Sequence, residues 1–523
     1  MTVQDRSHPA NATAPPADSV HAPDPGVASP EPLFQEARRL YKAGRLRAAK
    51  ARLEPLLQTE PDHVAALSLL GTILLHLEHA GGSAAEYLER AHRLSPEDPG
   101  CLVNLGTLRW AQGRIPEAAE HFGKAAALNP GDARAWFNFG NALQAMERME
   151  EAARAYGRAV ERKPLWPRAY LNLGNALNEI GKRADALAAY ETAIAQRPDF
   201  AAAYFARGLI KLKQGDYECG WRDYEWRFEA TGAEVLSQPN WDRPEWDGTP
   251  FPGKTLLVWQ EQGIGDALQF VRFLPEVKAR GGRVLLRCAP GLQRLFKELP
   301  GVDLLCHRWS QVGNTGFDIH VPLLSLPRLF GTRLESIPSA VPYLKPEAEL
   351  IARWRNRIRR DTFNVGVVWS GNPAQSDNHR RSCPLADLLP FMRIPGIQLY
   401  SLQKGDAALE LGNPPTGLRI LEFTKELTDF AETAALIRNL DLVITVDTAV
   451  AHLAGALGHP VWTLLRYNHC WRYLLDREDS PWYPTMRLFR QERPGEWCEL
   501  IARVARSLTA LAATRGSDPV RPV

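Results

Sequence analysis

The 523-residue chain lacks several features that would tie it to a particular environment. No apolar run approaches the roughly 18 residues that a membrane-spanning helix needs, so no span is expected. No basic start followed by an apolar core opens the sequence, which argues against a secretory leader. No C-x-x-C pair occurs among the seven cysteines, Cys101, Cys219, Cys288, Cys306, Cys383, Cys470 and Cys498. A dispersed, odd set reads as reduced, buried thiols of a cytoplasmic protein, not as a disulfide frame or a zinc site. A dominant charge is also missing: the net charge is +3, too small to argue for nucleic acid or an acidic membrane surface as partner. What remains is 45% hydrophobic and 24% charged, the composition of soluble globular protein. At roughly 150 residues per domain, the length suggests about three domains.

Residues 1–31 hold Pro9, Pro15, Pro16, Pro23, Pro25 and Pro30 and almost no bulky apolar side chain. They are expected to form a disordered tail. A repeat comes next. Gly106, Gly140, Gly174 and Gly208 recur every 34 residues, and Pro130, Pro164 and Pro198 keep the same spacing, with Pro96 and Pro61 before them. Ala118, Ala152 and Ala186, and Ala125, Ala159 and Ala193, occupy fixed offsets, as do Phe122, Tyr156 and Tyr190. The pattern resembles the tetratricopeptide repeat, a helix pair of about 34 residues. Small residues let the two helices approach, the aromatic is expected to fill the gap to the next pair, and proline ends the second helix. About six repeats are expected over 32–235, the second with an extra residue near His79 to Gly82. The last departs into Trp221, Tyr224, Trp226 and Phe228, too apolar for a solvated end and expected to dock onto the next domain. Asn104, Asn138 and Asn172 form a ladder two residues before the repeat glycines. In the resembled superhelices the first helix lines the concave face, so this ladder could hold an extended peptide, as a similar ladder does in the O-GlcNAc transferases. Equally, the amides could cap or bridge neighbouring helices. Asn141 and Asn175 are expected to serve packing.

From about residue 245 the periodicity changes. Strands are predicted at Lys254–Gln260, Arg283–Cys288, Asp303–Cys306 and Phe317–Val321, with helices at Asp266–Arg280 and Gly291–Leu299. After a bridge with Pro338, Pro342 and Pro346, strands are predicted at Asn364–Trp369, Gln398–Leu402, Leu440–Thr445 and Val461–Leu464, with a helix at Ala449–Leu457. Alternating β and α elements imply parallel sheets covered by helices. The predicted fold class is therefore α/β with an N-terminal α-solenoid, and the α/β part falls into units 245–345 and 350–515 with a cleft between them.

Four turns come directly after strands and carry polar or small residues. In Gly263-Ile264-Gly265-Asp266 the glycines permit a tight turn, and the free amides of the next helix favour an anion. Asp266 could cap that helix or act as a general base on a hydroxyl. Ser370-Gly371-Asn372, leading to Arg381, has the composition of a diphosphate site or of a solvated loop. Gln403-Lys404 lies past a third strand, where a lysine could neutralise phosphate. Asp447-Thr448-Ala449 opens a helix on which His452 lies one turn along from Thr448.

Together, Gly265-Asp266-Ala267-Leu268 and Asp447-Thr448-Ala449 through His452-Leu453-Ala454 resemble the two anchors of the heptosyltransferase-like glycosyltransferases of family 9. That family folds as GT-B, a pair of Rossmann-like domains. The resemblance covers 254–510 and implies Asp266 as the base for the acceptor hydroxyl. It implies a nucleotide-diphosphate sugar held by Asp447, Thr448, the Ala449 amide and His452, no divalent metal, and no cofactor beyond that sugar donor. Ala449 stands where the family usually has glycine, and Ser370-Gly371-Asn372 matches only in position. In keeping with this, no Asp-x-Asp occurs in the C-terminal half. Ser370, Gly371, Asn372, Arg381, Gln403 and Lys404 complete the expected donor side. Gly263, Gly265 and Gln269, with the asparagine ladder, make up the acceptor side. The reading is an inverting glycosyltransferase whose repeats recruit a protein or peptide acceptor. The alternative is a repeat scaffold with a degenerate, non-catalytic α/β half, against which stands the joint presence of Asp266, Asp447, Thr448 and His452. Trp462, Trp471 and Tyr473 could stack on a base or sugar or serve the core.

Overall fold

The structure, a computed structural model, describes residues 30–78, 82–231 and 241–515. Residues 1–29 of the expected tail and most of the extra-residue site at His79 to Gly82 lie outside them. The chain divides into two units, one ending at Ala203 and one beginning at Tyr204.

The first unit is a run of helix pairs: Pro30–Lys42 with Leu46–Thr59, Val64–Glu78 with Gly82–Leu94, Pro99–Ala111 with Ile115–Leu128, Ala133–Ala145 with Met149–Arg162, and Pro167–Glu179 with Arg183–Gln196. The second helix of each pair stops two residues before its proline, which cannot continue the hydrogen-bond ladder. Ala118, Ala152, Ala186, Ala125, Ala159 and Ala193 are fully buried. The aromatic works differently from expectation, because its ring lies on the glycine of its own pair. A Cβ on Gly106 would meet Phe122 at 2.7 Å, one on Gly140 would meet Tyr156 at 2.7 Å, and one on Gly174 would meet Tyr190. Glycine is thus the space in which the aromatic sits, and the ring closes the pair that carries it. Inside the described pairs' turns the chain needs a left-handed residue, at Gly44 (φ 75°), Gly113 (φ 74°), Gly181 (φ 81°) and Gly215 (φ 84°). The fourth pair places Glu147 there (φ 60°).

The sixth pair, Ala201–Lys213 with Tyr217–Tyr224, falls almost wholly in the second unit. Its aromatics are core residues there. Trp221 meets Phe270 at 6.2 Å and Trp471 at 5.1 Å between ring centres, and Phe228 meets Trp259 at 6.0 Å.

The second unit holds two sheets. The first has strands β1 (Thr255–Trp259), β2 (Arg283–Arg287), β3 (Leu304–Cys306) and β4 (Ile319–Pro322), in the order β3-β2-β1-β4. The second has β5 (Phe363–Val368), β6 (Ile397–Ser401), β7 (Ile420–Glu422), β8 (Leu442–Val446), β9 (Val461–Leu465) and β10 (Met486–Arg490), in the order β10-β9-β8-β5-β6-β7. All strand pairs are parallel. Strands β5, β8 and β9 are buried along their whole length, as parallel strands covered on both faces must be. The second order is that of a doubly wound Rossmann sheet, and the first is its opening half. Each therefore reverses direction at one point, β1/β4 and β5/β8, where ligands bind outside the carboxyl ends.

Sequence periodicity missed β7 and β10, the two edge strands. β7 is three residues long and largely exposed, and β10 is interrupted by Arg487 and ends on Arg490. The helix expected at Gly291–Leu299 is only a 3₁₀ turn at Pro290–Leu292. The helix expected from Asp266 to Arg280 begins earlier, at Ile264, and is broken into Ile264–Phe270, a 3₁₀ turn and Leu274–Ala279, the last with Pro275 in its first turn.

Candidate functional site

Helix Ile264–Phe270 starts at the β1 end of the first switch point, and helix Ala449–Ala456 starts at the β8 end of the second. Their first turns touch. A Cβ on Gly265 would lie 2.9 Å from His452 Cδ2 and 3.4 Å from Ala449 Cα. Gly265 is therefore the close-approach residue between the two halves, and its expected role toward an acceptor becomes one of packing.

The loop between β1 and this helix is fastened from several sides. The Gln260 amide accepts from Ala289 N (2.9 Å) and donates to Gln262 O (2.9 Å). Glu261 accepts from Leu324 N (3.1 Å), just past β4, and from Arg227 Nη2 (3.1 Å). Both side chains of that ion pair are fully buried. Burial pushes the Glu261 carboxyl up to about 7, an effect that Arg227 partly opposes. Arg227 also donates to Glu225 (2.8 Å) and Ser325 Oγ (2.8 Å). Sequence reading missed this arginine, since nothing in its spacing separates it from a surface residue.

Two consecutive residues hold the two expected carboxylates. Arg472 pairs with Asp266 Oδ1 and donates to Gln269 Oε1 (2.6 Å) and Cys470 Sγ (3.1 Å). Its neighbour Tyr473 donates its hydroxyl to Asp447 Oδ1 (2.7 Å). Burial disfavours the Arg472 charge, yet Asp266, Cys470 and Tyr224 hold its pKa well above the usual guanidinium value. Burial and the Asp447 charge drive the Tyr473 phenol well up, so it stays a donor. The other Asp266 oxygen turns toward Gly263, which is exposed. Asp266 does not cap its helix, whose N-cap Gly263 makes no side-chain bond. Gln269 is buried and turned to Arg472, with its Nε2 unpartnered, so it anchors the arginine and does not face an acceptor.

His452 is 5% exposed, with Nδ1 3.1 Å from Tyr483 Oη. Burial, then the Arg472 and Arg272 charges, push it down to about 3 against the pull of Asp447. Burial and the two arginines thus hold it as a neutral imidazole in the unliganded protein. Thr448 caps its helix through Val450 N (3.3 Å) and meets Thr445 Oγ1 at 3.0 Å.

Across the switch point, the turn after β5 is a compact polar knot. Ser370 Oγ meets Ser382 Oγ at 3.1 Å, and Gly371 N donates to Ser382 Oγ at 3.3 Å. A Cβ on Gly371 would lie 2.8 Å from both Nε and Nη2 of Arg381. Asn372 is exposed and accepts from Ala374 N (3.0 Å). Gln403 is only 2% exposed, and its amide is fully used. Its oxygen accepts from Trp369 N and Ser370 N, and its nitrogen donates to Ser370 O and Lys404 O. It shapes the turn and has no group left for a ligand. Lys404 is exposed and donates to Thr424 O (2.6 Å), away from the knot.

In the repeat unit the asparagine ladder bridges helices. Asn104 donates to Ser68 Oγ (2.7 Å) and Asn172 to Asn141 Oδ1 (3.0 Å), and Asn138 is buried. Asn141 and Asn175 accept from the hydroxyls of Tyr156 and Tyr190, each at 2.8 Å. Trp462, Trp471 and Tyr473 are buried at 8%, 4% and 1% exposure and serve the core. Among the described residues no group of His, Cys, Asp or Glu is placed to hold a metal ion, and no helix is long and apolar enough to cross a membrane.

Comparison with known proteins agrees with both halves of this picture. Tetratricopeptide family models match residues 34–99, 109–177 and 174–215, and the family model for glycosyltransferase family 9 (heptosyltransferase) matches residues 426–473. The chain is a tetratricopeptide-repeat protein with a glycosyltransferase-like C-terminal α/β part. Protein FlbA of Caulobacter vibrioides is 29% identical over 348 residues, which is 59% of this chain and 55% of that one. The chain thus matches about half the length of that relative. A TPR repeat-containing protein of Pseudomonas aeruginosa is 37% identical over 59 residues, 11% of this chain and 10% of its own. Among solved structures, the TPR protein YrrB, described as having an unusual peptide-binding site, is 25% identical over 35% of this chain and 93% of its own, with a TM-score of 0.30. PilF of Pseudomonas aeruginosa is 17% identical over 38% of this chain and 90% of its own, with a TM-score of 0.35.

Proposed function

We propose that the α/β unit transfers a sugar, with inversion and without a divalent metal, from a nucleotide-diphosphate sugar to an acceptor hydroxyl. The repeats would recruit a protein or peptide acceptor in the cytoplasm. One observation carries this reading. Asp266, in the first turn of the helix at one switch point, and Asp447, just before the helix at the other, are held by the adjacent residues Arg472 and Tyr473. A single dipeptide thereby fixes one acid from each half around one place.

The donor's diphosphate would lie against the Ser370–Asn372 turn, Arg381 and the first amides of helix Ala449–Ala456, where fixed donors offset the charge of the leaving group. Asp266 would act through the oxygen on the Gly263 side, while Arg472 holds the other and orients the carboxylate. As the acceptor oxygen attacks the anomeric carbon, its proton passes to Asp266 and the nucleoside diphosphate leaves. His452, neutral in the unliganded protein, would donate or accept a hydrogen bond there.

The test is a panel of UDP-, GDP-, ADP- and CMP-sugars offered to the full chain, read by thermal shift and by sugar hydrolysis or transfer. At least one sugar should stabilise the protein. Asp266→Asn should keep that shift and lose turnover by about 100-fold or more, the contribution of a positioned base. No shift with any sugar would overturn the reading. The buried Asp266–Arg472 pair favours a second reading, in which the α/β half is a non-catalytic module and the chain a repeat scaffold. Asp266→Asn would then lower the melting temperature and change no sugar-dependent signal.

A further inference from the structure

The second sheet brings a further strand end, carrying an arginine, to the same place. In the register of the sheet, Val368 of β5 lies beside Thr445 of β8, and Val446 of β8 lies beside Leu464 of β9. Ser370, Asp447 and Arg466 are each two residues past one of these partners, so they stand side by side at one sheet edge. The loop after β5 does not stay over its own strand. It crosses the end of β8, and Asp377 pairs with Arg466 Nη2 at 3.0 Å. Both side chains are nearly buried, at 11% exposure for Arg466 and 12% for Asp377. The pair therefore straddles the strand end that carries Asp447 and Thr448.

The arginines on this edge are incompletely used. Arg466 Nη1 and Arg381 Nε are both buried without a hydrogen-bond partner. A buried donor left unmade is costly, and such groups call for an explanation in a ligand or a function. A guanidinium presents a fork of donors suited to two oxygens of one phosphate. Here Arg466 offers one arm of its fork to a carboxylate and has the other empty. Arg381 lies against the Gly371 turn on the far side of the same strand end.

We propose that Arg466 is a second arginine ligand for a diphosphate at this edge, and that Asp377 occupies it as an internal stand-in for a phosphate oxygen. This deepens the glycosyltransferase reading and rests on it for the identity of the ligand, a nucleoside diphosphate. Binding would exchange the Asp377 carboxylate for phosphate on Arg466, with Arg381 completing the clamp. The two partners of the ion pair therefore have opposite effects on affinity. Removing Arg466 weakens binding, and removing the Asp377 charge strengthens it, although both substitutions break the same bond.

The experiment is calorimetric titration of the full chain with inorganic pyrophosphate and with UDP, ADP and GDP, for the wild type, Arg466→Gln, Arg466→Lys and Asp377→Asn. The proposal expects Arg466→Gln to weaken pyrophosphate and nucleoside diphosphate by about tenfold or more, the scale of a lost charge-assisted pair. Arg466→Lys, which keeps the charge without the fork, should fall between. Asp377→Asn should bind tighter than wild type. If Arg466→Gln does not fold, the sign of the Asp377→Asn effect decides by itself, and weaker or unchanged binding overturns the proposal. Nucleotide binding that is unaffected by Arg466→Gln overturns it and leaves the glycosyltransferase reading standing. Pyrophosphate binding that depends on Arg466, without response to any nucleotide sugar, supports the site and overturns that reading. Binding of neither pyrophosphate nor nucleotide by the wild type overturns both.

Discussion

The two units of this chain bury polar groups in opposite ways. Among the described residues before Tyr204, the buried polar side chains are Ser68 and Asn138, both neutral. From Tyr204 onward the core takes in Lys213, Asp223, Arg227, Arg272, Asp377, Glu432 and Arg472. The repeat unit is held by a periodic fit of alanine, glycine and aromatic ring, made anew every 34 residues. The α/β unit is held partly by buried charges whose partners lie far off in sequence. Burying a charge is expensive unless it is paired, and breaking such a pair costs more than a surface contact ever returns. The contrast separates a fold fixed by a local period from one fixed by pairs that only the folded chain brings together.

The strongest test of this contrast is Arg227→Met. It strips a fully buried guanidinium from Glu261, Glu225 and Ser325 and should destabilise the α/β unit by about 3–5 kcal/mol. Segment-resolved hydrogen exchange should show the loss from Tyr204 onward, with the repeats protected as before. Uniform loss across both units would mean that the two are one cooperative body.

Next comes Gly140→Ala, which places a methyl group against Tyr156. Overpacking of this kind should cost about 1–3 kcal/mol, confined to the repeat unit and visible in the same exchange experiment. An unchanged exchange pattern would show that the ring has room to yield.

A pH series reaches the α/β unit from another side. The Glu261 carboxyl is pushed up to about 7, mainly by burial. The folded state therefore holds a proton that the unfolded chain has already lost between the ordinary glutamate range and about 7. Stability from this group is complete below the ordinary glutamate value and is lost as pH rises through about 7. Thermal melts should show Glu261→Gln removing that decline, and a wild type and variant with parallel pH curves would refute the assignment.

The smallest effect is expected from Glu147→Gly. Every other described turn of this type carries glycine in the left-handed region, whereas Glu147 sits there at φ 60°. Relieving it should raise repeat-unit stability by up to about 1 kcal/mol. A loss of stability would show that the glutamate's own interactions outweigh the backbone strain.

Much of this molecule is legible in its sequence because its rules are local. The repeat glycines, alanines and prolines obey one period, so six helix pairs can be drawn without coordinates. The parallel strands β5, β8 and β9 are largely apolar, with Asn364, Thr445 and Thr463 their polar members, and announce themselves as buried. The glycine-bearing turns and the Asp447-Thr448 helix start lie where a strand ends, which places them near a sheet edge. Edge strands β7 and β10 were hidden because half-exposed strands share the composition of loops. The aromatic's place on its own glycine was hidden because period alone does not say which of two adjacent gaps a ring fills.

Periodicity and strand-to-helix turns act over a few residues, so the order of amino acids is enough to draw the architecture and to name Asp266 and Asp447. What those acids touch is a matter of tertiary packing. Arg472 lies 206 residues from Asp266, and Arg227 lies 34 from Glu261. Arg466 reaches Asp377 across the end of another strand. Charge pairing in a low-dielectric core depends on which distant groups meet. The folded chain alone decides that, and no local pattern carries it.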